Sequence, residues 1–76
     1  MQRSRSELEE NAMALKFIIA EDQGRIAELE AQHEEYYMYY AHSPRHILDA
    51  ISEATRRMYS HMKELGKVES QLKEIR

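Results

Sequence analysis

Two apolar stripes run along this chain at coiled-coil spacing, separated by a single break. The first passes through Leu8, Ala12, Leu15, Ile19, Asp22, Ile26, Leu29, His33, Tyr36 and Tyr40. The second passes through Ile47, Ile51, Ala54, Met58, His61, Leu65, Val68, Leu72 and Ile75. Steps of three and four residues alternate in both, which keeps each stripe on one face of a helix. Ala41-His42-Ser43-Pro44 lies between them. Proline disfavours helical geometry at the residue before it, and Ser-Pro suits an N-cap followed by a first helical position. A break this short makes the two helices antiparallel neighbours. The pattern predicts an all-α chain: a single helical-hairpin domain over 1–76, with helix 1 at about 6–41, a turn at about 42–43 and helix 2 at about 44–75.

Local signals refine the ends. Ser6 and Glu9 have capping-box spacing, and Glu7, Glu9 and Glu10 suit the positive end of a helix dipole. Lys73 and Arg76 suit the negative end of helix 2. Gly24 and Gly66 each cost a helix about 1 kcal/mol relative to alanine, but the stripes hold their phase on both sides, so both helices should run through them. The predicted pairing sets Tyr40 against Ile47, Leu29 against Met58, Ile26 against His61 and Leu15 against Leu72.

A chain of 76 residues buries little apolar surface by itself, and small domains lean on disulfides, a metal or oligomerisation. There is no cysteine, which removes disulfides and thiolate metal sites and accords with a reducing cytoplasm. The basic start, Met1-Gln2-Arg3-Ser4-Arg5-Ser6, leads into no signal-peptide core. The most apolar stretch, Ala12 to Ala20, is too short for a bilayer and is interrupted by Lys16. The expectation is a soluble, unprocessed, cytoplasmic protein with no membrane partner.

Oligomerisation has a candidate surface. Helix 1 carries a further stripe at Met13, Phe17, Ala20, Gly24, Ala27 and Ala31, continued by Met38 and Ala41. A surface helix needs only one apolar face. Small residues admit a close neighbour, and exposed phenylalanine gains nothing. Helix 2 has a weaker counterpart in Leu48, Thr55, Tyr59, Met62 and Gly66. These positions predict a homodimer of hairpins, a four-helix bundle, with the helix 1 stripe as the dimer interface.

Charge is divided between the halves. Of the ionisable residues up to Ser43, nine are acidic and four basic; from Pro44 onward five are acidic and seven basic. Opposite charge favours packing of the two helices on each other. An acidic first half and a net charge of −3 disfavour binding to nucleic acid, which needs a basic face.

Few residues suggest chemistry. Asp22, His33 and His61 interrupt the stripes, and Asp22 lies about one turn from His61 across the expected pairing. A polar layer that fixes register explains them, with an Asp22–His61 hydrogen bond within reach. Replacing His61 by leucine is then expected to keep the fold, with stability held or raised. Glu30-Ala31-Gln32-His33 has the Glu-x-x-His step of di-iron four-helix bundles, but Glu53 and Glu64 of helix 2 lie off its stripe, so no metal is assigned. No phosphate-binding glycine loop and no nucleophile–base–acid grouping is present, so neither an enzyme nor a cofactor or small-molecule substrate is predicted.

The strongest local feature is Tyr36-Tyr37-Met38-Tyr39-Tyr40, with His42, Arg45 and His46 nearby. This is more tyrosine than one seam can bury, and tyrosine and arginine dominate interface hot spots. Tyr37, Tyr39, Arg45 and His46 are therefore the expected partner-binding residues. In size and style the chain resembles the small helical inhibitors and antirepressors of bacteriophages. The reading that follows is a homodimeric regulator, inhibitor or adaptor that binds a larger protein. The alternatives are a structural coiled-coil scaffold element and an RNA-binding hairpin dimer.

Overall fold

A computed structural model describes residues 4–75. It contains two helices, α1 at Arg5–Tyr40 (36 residues) and α2 at Arg45–Glu74 (30 residues), packed as an antiparallel hairpin. Among the described residues there is no strand. The hairpin is a rod with principal extents of 56 × 15 × 15 Å. No helix of the described chain is long and apolar enough to cross a membrane.

The two stripes form the seam. Leu8, Ala12, Leu15, Ile19 and Asp22 are buried on α1, and Ile47, Ala54 and Val68 on α2. Ile26, Leu29, Ile51, Met58, Leu65, Leu72 and Ile75 are half-buried between them. Apart from Ile47, which is buried beside the turn, the core gathers at the far end: Leu8, Ala12, Leu15 and Val68 make one cluster, with Leu65, Leu72 and Ile75 packed against it. Toward the turn the seam opens, and Tyr36 and Tyr40 are exposed rather than buried. A tyrosine keeps its hydroxyl wet at no cost, whereas the leucines and valine of the far end gain only by burial. Both helices pass through their glycines without a positive φ.

The start of α1 differs from the expected Ser6–Glu9 capping box. Ser4 is the N-cap, and its hydroxyl accepts from the Glu7 N–H at 3.2 Å. Glu9 instead pairs with Arg5 one turn back, at 3.0 Å. Two serines two residues apart compete for the cap, and the earlier one wins a further helical half-turn. At the other end Ala41 takes the left-handed conformation (φ 61°) and its N–H bonds to the Tyr37 carbonyl at 2.9 Å. An alanine there is strained by about 1 kcal/mol, whereas glycine is not. Ala41→Gly should therefore raise stability by about 1 kcal/mol in chemical denaturation, unlike glycine anywhere inside α1.

The turn is Ala41–Pro44, bracketing the expected break. Ser43 does not cap α2. Pro44 holds the N-cap position, with no side-chain hydrogen bond to the helix. The Ser43 hydroxyl is turned back onto α1, where it donates to the His33 carbonyl at 3.0 Å and also meets His33 Nδ1. Of the helix-ending bases expected at the C-terminus, Lys73 lies in the last turn of α2 and Arg76 lies outside the described residues.

The register differs from expectation by one helical turn. Asp22, not Ile26, lies opposite His61, with Asp22 Oδ2 and His61 Nδ1 2.7 Å apart. The fold-back of Ser43 onto His33 and the left-handed Ala41 accompany this register. The slide converts a possible contact into the hairpin's one hydrogen bond between the mid-helix side chains of α1 and α2 among the described residues.

Candidate interaction surfaces

The hairpin leaves two apolar surfaces uncovered. One is the stripe on the far side of α1. Met13 is 63% exposed and Phe17 68%, and Ala20, Gly24, Ala27 and Ala31 are open to solvent beyond them. These are good helix residues whose phase sets them away from the seam, so α2 cannot reach them. On α2, Leu48, Tyr59 and Met62 are exposed as well, while Thr55 is half-buried.

The other surface is the hairpin tip. Tyr37, Met38, Tyr39 and Tyr40 are all exposed, and four consecutive residues point around most of the α1 circumference. They are ordered in pairs one turn apart: Tyr36 and Tyr40 rings lie 6.0 Å apart, as do those of His33 and Tyr37. Two shallow grooves flank the tip. His33, Tyr37 and Met38 line one together with Glu30 and Glu34. Tyr36, Tyr39, Tyr40, His46 and Ile47 line the other with Gln32 and Glu35. Of the four expected partner-binding residues, Tyr39 and His46 therefore share a groove, whereas Tyr37 faces the opposite one. Arg45 projects into solvent with only a 3.9 Å approach to Asp49 one turn on.

The polar residues of the seam divide by role. Asp22 is 8% exposed and is satisfied by the half-buried His61, so the pair is a polar layer in the middle of the rod, buried on the Asp22 side. His33 is bound to Ser43 and braces the turn. The Ser43 contact was not legible in the sequence, where Ser-Pro reads as a cap. Among the described residues no three His, Asp or Glu side chains converge as a metal-ligand set, and Glu30 and His33 share only the groove wall.

No protein-family model, curated protein or solved structure matches this chain.

Proposed function

We propose that this chain is a non-enzymatic protein-interaction module: a small homodimeric cytoplasmic regulator or inhibitor that engages a larger protein through its hairpin tip. One observation carries the reading. A hairpin with so few buried residues leaves Met13, Phe17, Tyr37, Met38, Tyr39 and Tyr40 well over half exposed. Contiguous exposed apolar and aromatic surface marks association sites. The two surfaces have different chemistry. The α1 stripe sets Met13 and Phe17 beside a run of small residues, Ala20, Gly24, Ala27 and Ala31, which suits close helix packing. The tip combines tyrosines with Arg45 and His46, the residue types that anchor protein interfaces.

Dimerisation and folding should be coupled, so the melting temperature should rise with protein concentration. For the tip, the full chain serves as bait, and affinity for the captured protein is then measured with Tyr37→Ala and Tyr39→Ala. Truncating an interface anchor costs about 2 kcal/mol or more. Each change should weaken partner binding by roughly tenfold or more while dimer mass and helicity stay as they were. If the dimer itself dissociates instead, the rings seal the assembly and the tip is not the recognition site.

A further inference from the structure

We infer that the segment docking in the grooves of the hairpin tip is cationic: a lysine- and arginine-rich stretch of the partner protein, whose charged ends lie on the tip tyrosines and pair with the glutamates beside them. The inference rests on the tip reading above and adds the chemistry of what binds there.

The acids stand beside exposed rings. One groove runs between α1 and the start of α2, where Tyr36, Tyr39 and Tyr40 line it with Glu35 and His46. On the opposite side of α1, Tyr37 and Met38 share a groove with Glu30 and Glu34. Tyr37 is 60% exposed and Tyr39 73%, so each groove offers an open ring with a carboxylate one turn before it. An arginine or lysine end is attracted by both groups at once. The ring face draws the cation, its methylenes cover the apolar ring, and the carboxylate takes its hydrogen bonds. An acidic segment or a nucleic acid meets repulsion at the same place.

Charge over the whole rod points to the same occupant. Glu28 and Thr55 each lie six residues toward the turn from the bonded Asp22 and His61, so they are level with each other. From 28 to 55 six residues are acidic and one, Arg45, is basic. The rest of the chain has eight acids and ten bases. The tip therefore carries −5 and the remainder +2 of a net charge of −3. All six tip acids are exposed, and Arg45 is itself approached by Asp49 at 3.9 Å.

Folding does not use this charge. Along a helix an acid is offset by a base three or four residues away. Glu21, Glu53, Glu64 and Glu69 have one at that spacing, in Arg25, Arg57, Lys67 and Lys73. Glu30, Glu34 and Glu35 have none, and Glu30 and Glu34 are spaced to repel each other. The stretch of α2 at their level, Leu48 to Glu53, brings two more acids and no base. Among the described residues none of these three glutamates is in an ion pair, and the last turn of α1 holds no base.

The test pans a library of random displayed peptides on the full chain at physiological salt and titrates the selected peptides against variants. The selected sequences should be enriched in lysine and arginine, and their affinity should fall as salt is raised. Glu34→Gln with Glu35→Gln should weaken them about tenfold or more, with thermal stability held or raised because repulsion is relieved. Glu69→Gln with Glu74→Gln, the same change of charge at the far end, should leave them unaffected. Equal losses in both double variants mean general attraction to an acidic protein and overturn the inference. Selected peptides with no excess of bases, yet lost with Tyr37→Ala or Tyr39→Ala, overturn the cationic partner while the tip remains the recognition site. Peptides indifferent to every tip variant, or no selected peptide at all, overturn both readings. Self-association that disappears with Glu34→Gln and Glu35→Gln assigns the acidic tip to the bases of a second copy and likewise overturns the inference.

Discussion

His61→Leu should destabilise the hairpin by about 3 kcal/mol, because it strips a buried carboxylate of its partner. Asp22 is buried, and its Oδ2 is 2.7 Å from His61 Nδ1. A leucine supplies apolar area but leaves that oxygen facing a non-donor, and an unpaired buried charge outweighs the gain. This reverses the expectation from sequence, in which His61 alone counts as a polar interruption that leucine would improve. The improvement belongs to the double change. Asp22→Leu with His61→Leu replaces a buried polar pair by hydrocarbon, which is neutral or stabilising in comparable pairs. Urea denaturation of both single variants and the double variant gives the coupling directly. A favourable coupling of about 2 kcal/mol or more is expected for such a pair. If His61→Leu alone leaves stability unchanged, Asp22 is reaching solvent and the layer does not hold the register.

Leu15→Ala should cost about 3 kcal/mol, and Leu8→Ala a similar amount, whereas Leu29→Ala should cost under half as much. Truncating a buried leucine removes transfer energy and leaves a cavity, together about 2–5 kcal/mol. Leu8 and Leu15 belong to the cluster with Ala12 and Val68, while Leu29 is only half-buried. Small domains are stable by only about 5–15 kcal/mol, so either loss at the far end takes a large share. The same asymmetry should appear in amide hydrogen exchange, with the slowest amides around Leu15 and Val68 and faster exchange from Tyr36 to Arg45. Uniform protection along the rod would mean that the tip is as well packed as the far end, contrary to the exposure of its tyrosines.

The repeat of three and four was enough to determine the elements, their order and nearly every seam residue. From Leu8 to His33 and from Ile47 to Ile75 each expected seam position is buried or half-buried. Periodicity is a property of the helix itself, so it can be read along the chain without knowing what the helix touches. The break was legible for the same reason: proline acts on its immediate neighbour. The exposed apolar residues of α1 were also legible, since a helix facing one neighbour has no use for them there.

Tertiary structure decided the rest. Ser4 rather than Ser6 caps α1, a choice between near-equivalent hydroxyls that local sequence cannot rank. Ser43 bonds to His33, ten residues away, although its own neighbourhood reads as a cap. That contact and the left-handed Ala41 shape the turn. A seam of aliphatic residues tolerates a slide of one turn with little change in burial, because i and i+4 share a face. The hydrogen bond between Asp22 and His61 is directional and does not tolerate it, so only the folded hairpin shows that these two residues are partners.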